Sequence, residues 1–384
     1  MTLQHFALTE QLDALRTTQL LRHNRAVERG VTPFAWRNGR QFVNFSSNDY
    51  LGLAEHPALT AAVRAYLKEH GVGAGAAHLV TGHTSLHEQL EQRLAVLSGY
   101  PRALLFSSGF AANLGVLDAL LGHNDVVYQD RLNHASLLDG ARLSGAKLRR
   151  YAHLDMPMLE RLLAQDTLAQ PQARRLIATD QVFSMDGTQA PLAELRALAE
   201  RYQAALMIDD AHGFGLRAAP LPTVDIYMAT LGKAVGSYGA FVAGSHDLID
   251  YLTSKARSFC FSTASPPLLA AATLVALDLI EQQPERQAIL HAHIAQLRAG
   301  LIAQGWQVLP SETAIQPIVL GDAAQALALS AYLEDQGFLA VAIRPPTVPH
   351  GTARLRITLS TAHQPEQIEG LLTALLCYRQ THLL

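Results

Sequence analysis

The sequence has few cysteines, few charged residues and no long hydrophobic run. Its two cysteines, Cys260 and Cys377, lie far apart, which excludes a disulfide framework or a cysteine metal motif and predicts a reducing compartment. Lysine and arginine total 30 against 33 acidic residues, a net charge of −3, so we expect no surface for nucleic acid or membrane. The longest apolar stretch, from Leu268, contains Asp278 and is too short to span a bilayer. We find no targeting pattern before Glu10 and expect a soluble, cytoplasmic protein.

The 384 residues, of which 49% are hydrophobic, are enough for two or three domains. Leu8, Leu12 and Leu15 recur at helical spacing, and Asn38-Gly39 is typical of a tight turn between two strands. We predict an N-terminal helix and hairpin over 1–45 that pack with the C-terminal part, a large α/β domain over 46–262, and a small α+β domain over 263–384.

Short apolar runs alternate with amphipathic helices in the middle of the chain. This pattern is typical of a mostly parallel sheet covered on both faces, in which ligands bind beyond the carboxyl ends of the strands. The expected strands cover residues 102–106, 125–130, 174–180, 205–212, 225–230 and 239–244. After residue 262 we expect a long helix from Pro267 past Arg286, then strands over 306–310, 314–320, 338–344 and 353–360 and helices over 323–337 and 365–379. The predicted fold class is α/β.

Polar and glycine residues follow several of these strands. Gly109 precedes a helix whose free N–H groups suit an anion such as a phosphate, although an ordinary turn is the other interpretation. His134 is either a cap residue or a ring that stacks on a flat ligand or transfers protons. Ser184, beside the turn signal Asp186-Gly187, is a turn hydroxyl or a donor to a ligand.

Asp209 and Asp210 end a buried apolar strand, where a carboxylate needs a cationic partner. Either Asp209 caps the next helix or pairs with an arginine, or the two carboxylates belong to a site; we favour the site because perturbed ionisable groups cluster at functional sites. Lys233 is one of only four lysines beside 26 arginines, and it lies between Gly232 and Gly236. Unlike arginine, a desolvated lysine can form an imine.

Together these residues match what pyridoxal phosphate requires: a phosphate site, a ring-stacking histidine, an aspartate for the pyridinium nitrogen and a Schiff-base lysine. A nicotinamide-binding chain would instead show G-x-G-x-x-G after an early strand, with an acid about 20 residues further on. We do not find that arrangement here. The sequence therefore predicts a pyridoxal-phosphate enzyme.

The sequence resembles the α-oxoamine synthases, pyridoxal-phosphate enzymes with the aspartate-aminotransferase-like, type I fold. The resemblance covers nearly the whole chain. Its motifs are NFSSNDYLGL (44–53), SSGFAAN (107–113), RLNHASLLDGARLS (131–144), VFSMDGTQAPL (182–192), IDDAHGFG (208–215), TLGKAVGSYG (230–239) and RPPTVPHGTARLRITLSTAH (344–363). The resemblance implies that the large domain binds the cofactor and that two copies form a homodimer with sites at their interface.

The resemblance also implies residue roles. Lys233 would hold the cofactor covalently and move the substrate Cα proton, Asp209 would pair with the pyridine nitrogen, and His134 would stack on the ring. The other implied cofactor contacts are Gly109, Phe110, Ser184, His212 and Thr230. The implied substrate contacts are Arg22, Asn48, His134, Thr347 and Arg356, of which Asn48 and Arg356 would hold the amino-acid carboxylate. No metal is expected.

The implied reaction is a decarboxylative condensation of L-alanine with a pimeloyl thioester on coenzyme A or acyl carrier protein. The alternatives are a family member that uses glycine or serine with another acyl thioester, a simple aminotransferase, and a non-catalytic module. The intact set of Asp209, His212 and Lys233 argues against the last. A group of basic residues is either a solvated face or a patch for an acidic carrier protein: Arg142, Lys147, Arg149 and Arg150.

Three regions depart from the family pattern. Phe214 stands where a threonine is common, the segment Leu216–Pro222 is shortened, and the small residues of 71–82 are shifted. Relatives restricted to glycine carry a threonine where Ala77 stands here. We therefore expect Ala77 to leave room for the methyl group of alanine.

Overall fold

The structure, a computed structural model, describes residues 2–18, 20–28, 30, 32–217 and 221–382. The helices are α1 (Leu8–Thr17), α2 (Pro57–Tyr66), α3 (Ser85–Ser98), α4 (Gly109–Leu120), α5 (Ala135–Ser144), α6 (Met156–Ala169), α7 (Leu192–Arg201), α8 (His246–Lys255), α9 (Arg257–Cys260), α10 (Pro267–Gln282), α11 (Glu285–Ala303), α12 (Ala323–Asp335) and α13 (Pro365–His382). The strands are β1 (Phe34–Arg37), β2 (Arg40–Asn44), β3 (Arg102–Phe106), β4 (Val126–Asp130), β5 (Lys147–Tyr151), β6 (Arg175–Asp180), β7 (Ala205–Asp209), β8 (Ile226–Thr230), β9 (Ala240–Gly244), β10 (Ile315–Gly321), β11 (Phe338–Leu339), β12 (Val341–Ile343) and β13 (Ala353–Thr358). Among the described helices, none is long and apolar enough to cross a membrane.

A seven-stranded sheet lies at the centre of the large part of the chain, in the order β3-β9-β8-β7-β6-β4-β5. Strands β5, β4, β6, β7 and β8 run parallel, whereas β9 runs antiparallel to its neighbours β8 and β3. The predicted mostly parallel sheet is therefore confirmed. The parallel strands end along one edge, which carries Asp130, Asp180, Asp209 and Thr230.

Helices cover both faces of this sheet because its strands are apolar on both sides. Every residue of β4 and β9 is buried, which is typical of a sheet with two covered faces. Val127 packs on one face with Leu117 of α4 and other apolar residues. Its neighbour Val126 packs on the opposite face with Leu159 of α6 and Leu195 of α7.

The C-terminal part contains a second, antiparallel sheet in the order β10-β13-β12. The N-terminal hairpin joins this part, because β2 pairs in parallel with β11 through Val43 and Phe338. One continuous core contains Leu94, Leu277 and Leu355, so the large and small parts share buried apolar surface. The predicted domain boundaries at 45/46 and 262/263 stay predictions.

The observed elements differ from the expected ones in the C-terminal part. The run 338–344 forms two strands, β11 and β12, which belong to different sheets. Residues 306–310 form no continuous strand; Val308 makes one isolated bridge, and Pro310 has no N–H with which to extend a ladder. The long helix expected after residue 267 divides into α10 and α11 near Pro284, which cannot continue the hydrogen bonding of α10.

The strand β5 forms despite its charged sequence, KLRRY, because most of its charge is paired. Lys147 Nζ lies 2.8 Å from an oxygen of Asp166, and Arg149 donates to both carboxylate oxygens at 2.7 and 2.9 Å. Arg150 donates to a main-chain carbonyl, and Arg142 pairs with an aspartate one turn earlier on α5. The choice between a solvated face and a basic patch stays a prediction, although two of the four bases share a buried carboxylate.

Asp166→Asn is expected to lower the free energy of unfolding by about 2 kcal/mol, because it leaves two cations without their shared partner. Burial by itself raises the pKa of Asp166, but hydrogen bonds from Arg149 and Lys147 outweigh it and bring the pKa from 3.8 to about 2. A lowered folded-state pKa stabilises the fold above the unfolded value and stops doing so as the pH falls through the folded one.

The difference in stability between Asp166→Asn and the wild type should therefore shrink between pH 4 and pH 2. Denaturant unfolding across that range measures it. The control is Asp139→Asn, which breaks the exposed pair with Arg142 and should cost less than about 1 kcal/mol. Equal costs for the two variants would contradict the buried role of Asp166.

Candidate active site

A cavity of about 310 Å³ opens at the carboxyl edge of the central sheet, where β6, β7 and β8 end. It brings together side chains from segments spread over most of the chain. All residues expected at the cofactor and two expected at the amino acid line it: Gly109, Phe110, His134, Ser184, Asp209, His212, Thr230, Lys233, Asn48 and Arg356. Their roles stay predictions, but their convergence in one cavity is observed.

Asp209 is a buried carboxylate at the end of β7, with 4% of its surface exposed. One oxygen accepts a hydrogen bond from Asn113 Nδ2 at 2.8 Å, and the other accepts from the main-chain N–H of Ala211 at 3.0 Å. Neutral donors reduce the cost of burying a charge, but they do not cancel it. The carboxylate is therefore suited to a cationic ligand group in the cavity.

Lys233 lies in a tight loop after β8. The main-chain N–H of Gly236 donates to the carbonyl of Lys233 at 2.9 Å. Gly236 has φ +70°, and a Cβ there would lie 2.5 Å from the nitrogen of Ala54, so only glycine closes this loop without strain. Burial lowers the pKa of Lys233 more than Asp209 and Asp180 raise it. The amine is thus more readily neutral and nucleophilic than that of an exposed lysine.

Gly109 starts α4 directly after the first strand of the sheet. The Ser108 side chain caps this helix by accepting a hydrogen bond from Ala111 N at 3.1 Å. A Cβ on Gly109 would lie 2.8 Å from Cγ2 of Thr230, so a side chain would fill the gap between α4 and β8. The helix N-terminus beside this gap provides the positive dipole end expected of a phosphate site.

His134 lies at the exposed rim of the cavity, with Phe110 edge-on at a centroid separation of 6.4 Å. Its main-chain N–H donates to Asp180 Oδ2 at 2.7 Å. Burial lowers the pKa of the His134 ring. Asp209 raises this pKa, whereas Lys233 lowers it further. The ring is therefore neutral at a pH where an ordinary histidine is partly charged.

His212 follows β7 and meets Tyr50, whose hydroxyl lies 2.7 Å from His212 Nδ1. Burial lowers the pKa of His212 well below 6.5, and the positive charges of Lys233 and Arg356 add to the effect. Burial also raises the pKa of Tyr50 to about 12. Both groups are neutral at physiological pH and serve as hydrogen-bonding groups rather than as charges.

Arg356, on β13, extends from the small sheet into the cavity and is 7% exposed. Its Nε donates to the carbonyl of Ser184 at 2.6 Å, and Nη2 donates to Asn48 Oδ1 at 3.2 Å. Within the described ranges, no carboxylate lies within ion-pair distance of Arg356. Two residues earlier on the same strand, Arg354 pairs with Asp186. A buried guanidinium with only neutral partners is suited to a carboxylate ligand.

Other residues singled out from the sequence lie elsewhere. Arg22 Nη2 donates to Thr347 Oγ1 at 2.7 Å, and both line a different cavity of about 720 Å³ between the N-terminal segment and the small sheet. Phe214 packs edge-on against Phe241, away from the cofactor residues. Ala77 forms a bridge with another segment and does not line the cavity of its own chain, so its effect on substrate choice stays a prediction. Residues 218–220 of the shortened segment lie outside the described ranges.

Sequence reasoning did not single out four polar residues that contact this site. Three lie within the quoted motifs: Tyr50, Asn113 and Ser136. The fourth, Asp180, ends β6 directly beside Asp209 in the strand register. The argument applied to Asp209, a carboxylate at the end of a buried apolar strand, identifies it equally well. Burial and Asp209 raise the pKa of Asp180 well above 3.8, which favours its protonated form.

Three histidines lie close together outside the cavity, as the ligands of a metal ion would. His78, His83 and His87 each place a ring nitrogen within 4.8 Å of the others. However, His87 accepts from Thr84 N through Nδ1 and donates through Nε2 to a carbonyl, which occupies both of its nitrogens. His78 Nδ1 and His83 Nδ1 lie 2.9 Å apart and bond to each other. This arrangement does not provide the three or four free ligands of a structural or catalytic zinc site.

The cavity fits pyridoxal phosphate. It combines an amine whose pKa is lowered, a buried anion, a glycine that leaves room beside a helix N-terminus, and a neutral imidazole at the rim. The amine would bind the aldehyde, and the buried anion would bind the ring nitrogen. The space at the helix N-terminus would hold the phosphate, and the imidazole would lie on the ring face. The fold and this site define a pyridoxal-phosphate enzyme of fold type I.

Comparison with known proteins agrees. The family model described as aminotransferase class I and II matches residues 40–375. The 8-amino-7-oxononanoate synthase of Methylococcus capsulatus is 52% identical over 88% of this chain and 89% of its own. That of Alkalilimnicola ehrlichii is 50% identical over 96% of each chain.

Solved structures show the same relation. A serine palmitoyltransferase from S. paucimobilis, solved with PLP and myriocin bound, superposes with a TM-score of 0.92 at 26% identity, covering 99% of this chain and 98% of the other. An 8-amino-7-oxononanoate synthase from Francisella tularensis superposes with a TM-score of 0.76 at 28% identity, covering 89% and 99%. The chain belongs to the class I and II aminotransferase family and, within it, to the α-oxoamine synthases, which are pyridoxal-phosphate-dependent acyltransferases. The predicted fold, family, enzyme class and cofactor are confirmed.

Lys233→Ala is expected to fold but to lose covalent retention of pyridoxal phosphate, because no other lysine lines the cavity among the described residues. Borohydride treatment of the holoenzyme followed by peptide mass spectrometry measures the attachment. Lys255→Ala, at the surface end of α8, is the matched control and should retain it. Covalent cofactor found on Lys233→Ala would show that another residue carries it.

Proposed function

We propose that the enzyme condenses L-alanine with a pimeloyl thioester to form 8-amino-7-oxononanoate, carbon dioxide and the free thiol carrier, a step of biotin biosynthesis. The observation that carries the proposal is the presence, in one cavity, of Lys233, Asp209 and an Arg356 without a carboxylate partner. The name of the relatives' product supports the two substrates. Seven acyl carbons and three carbons of alanine, less one as carbon dioxide, give the nine carbons of that product.

Arg356 and Asn48 would hold the amino-acid carboxylate. The guanidinium keeps a fixed orientation because Ser184 O and Asn48 Oδ1 accept from two of its nitrogens. Its other N–H groups are available for charge-assisted bonds to a carboxylate. This binding would fix the orientation of the Cα–H bond relative to Lys233.

Lys233 would remove and return the Cα proton through its Nζ. When bound, pyridoxal phosphate withdraws electrons from the Cα atom and so makes that proton acidic. The buried carboxylate of Asp209 would stabilise the protonated ring nitrogen. The lowered pKa of Lys233 supports its action as a general base near neutral pH.

The new carbon–carbon bond forms between Cα and the thioester carbonyl, and the carbon–sulfur bond breaks with release of the thiolate. His134, neutral and at the rim, would donate a hydrogen bond to the acyl carbonyl oxygen. Arg22 and Thr347, which line the larger cavity, would contact the acyl substrate. Coenzyme A and acyl carrier protein remain the two candidate carriers, and the paired charges of β5 give no support to a carrier-protein patch there.

A homodimer in the cytoplasm completes the proposal. The leucines of α1 are exposed in a single chain, at 49%, 40% and 38% for Leu8, Leu12 and Leu15. Phe110, which lines the cavity, is 43% exposed. Exposed apolar side chains of this kind are suited to cover by a second copy.

The second candidate is a sister reaction with serine or glycine, which the 0.92 TM-score to the serine palmitoyltransferase favours. Incubation of the holoenzyme with alanine, glycine or serine and with pimeloyl or acetyl thioesters, followed by product mass spectrometry, separates the two. We expect alanine with the pimeloyl thioester to have the highest kcat/KM, by about 10-fold over glycine, since one methyl in an apolar pocket contributes about 1–3 kcal/mol. A higher kcat/KM for serine or glycine would overturn the proposed substrate.

Arg356→Gln is expected to raise KM for the amino acid roughly 10- to 100-fold, because the carboxylate loses a charge-assisted pair. KM for the acyl thioester should change little, which makes it an internal control. Arg356→Lys keeps the positive charge but loses the planar guanidinium that can donate two parallel hydrogen bonds. Its KM for the amino acid should therefore lie between the values for the wild type and Arg356→Gln. An equal rise in both KM values would place Arg356 in a general structural role.

A further inference from the structure

Four buried or rim residues of the cavity form one continuous chain of hydrogen bonds. Asn113 Nδ2 donates to Asp209 Oδ2 at 2.8 Å and, with its second hydrogen, to Ser136 Oγ at 2.8 Å. Ser136 Oγ in turn lies 2.7 Å from His134 Nδ1. Asn113 and Ser136 are 1% and 0% exposed, so water does not compete for these bonds. The chain connects the carboxylate at one side of the cavity with the imidazole at its rim.

The direction of each bond follows from donor and acceptor chemistry. A carboxylate only accepts, so the amide of Asn113 must present its nitrogen to Asp209. In agreement, Asn113 Oδ1 is buried without a hydrogen-bond partner among the described residues. Asn113 Nδ2 also donates to Ser136 Oγ, so this oxygen is an acceptor in that bond. The hydroxyl hydrogen of Ser136 is then available for donation to His134 Nδ1. The main-chain N–H of Ser136 also points at that atom, at 3.3 Å.

His134 Nδ1 thus faces two donors and holds its lone pair there. The proton of the neutral ring must then be on Nε2. Protonation of Nδ1 would break both hydrogen bonds. These bonds therefore lower the pKa of His134, in the same direction as burial does. The charged and titratable groups that face His134 are Asp209, Lys233, Asp139, His212 and Asp180.

We propose that Asn113 and Ser136 are positioning residues, which together hold Asp209 as an acceptor-only carboxylate and His134 as the neutral ring with its proton on Nε2. The amide of Asn113 thereby determines the acceptor role of Asp209 and, through Ser136, the tautomer of His134. The inference rests on the roles proposed above for Asp209 and His134. This row of hydrogen bonds then has a function besides packing, because through it the neutral ring of His134 keeps a hydrogen-bond donor in the cavity at a pH where a free imidazole would be charged.

The test is nitrogen-15 NMR of the histidine rings in the full-length protein, with and without pyridoxal phosphate. The His134 signals are assigned by their loss in His134→Gln. Wild type should show an unprotonated Nδ1 and a protonated Nε2. Ser136→Ala should raise the His134 pKa by about one unit, because a donor to the neutral ring is lost. Asn113→Ala should shift it in the same direction and also weaken the binding of pyridoxal phosphate about 10-fold.

Ser144→Ala is the matched control, because it removes another largely buried hydroxyl from α5 without contact with the chain of bonds. It should change neither the His134 signals nor cofactor affinity. Asn113→Leu, which keeps a similar volume but neither donates nor adds a charge, replaces Asn113→Ala if that variant fails to fold.

A protonated Nδ1 in wild type, or a His134 pKa unaffected by both Ser136→Ala and Asn113→Ala, would overturn the inference. Neither measurement depends on which amino acid or thioester the enzyme uses. An error in the proposed substrates would therefore appear in the product assay and leave this result unchanged.

Discussion

The buried carboxylate of Asp209 is the constraint on which the rest of the site depends. A parallel sheet places it at the end of an apolar strand, where an unpaired charge is costly. Donors from α4 and from the chain after β7 reduce that cost. The remaining negative potential suits a cationic ring nitrogen and opposes, at Lys233, the effect of burial. Asp180, immediately beside it, is correspondingly driven toward its neutral form.

The small sheet contributes the second charge of the cavity, and its register determines which arginine enters. Arg354 and Arg356 lie two residues apart on β13 and so point to the same face. Arg354 pairs with Asp186, while Arg356 reaches the carbonyl of Ser184 and keeps neutral partners. A slip of one residue would turn both away from the cavity. The same strand thus uses one arginine to attach the two parts of the chain and leaves the other with neutral partners, as the proposed carboxylate site requires.

Sequence patterns predicted the central sheet well because its strands are buried apolar runs, and the strand-end argument found Asp209, Lys233 and the glycine of α4. The charged strand β5 gave no such signal, since its pairing depends on Asp166 from a later helix. Asn113 and Ser136 could not be found from type or spacing. Their contacts exist only in the folded protein, where the packing of α4 against α5 brings the amide, the hydroxyl and the imidazole of His134 within hydrogen-bond distance.

The openness of the cavity in a single chain bears on the chemistry. His134 and Phe110 are exposed at the rim, and in the proposed reaction a thioester would be open to attack by water as well as by carbon. Condensation rather than hydrolysis requires that water be excluded once both substrates are bound. The exposed leucines of α1 offer apolar surface for a second copy. In the proposed homodimer, a partner that also covered the rim would exclude this water. Dimer formation and control of the reaction would then have the same physical basis, the removal of water from this edge of the sheet.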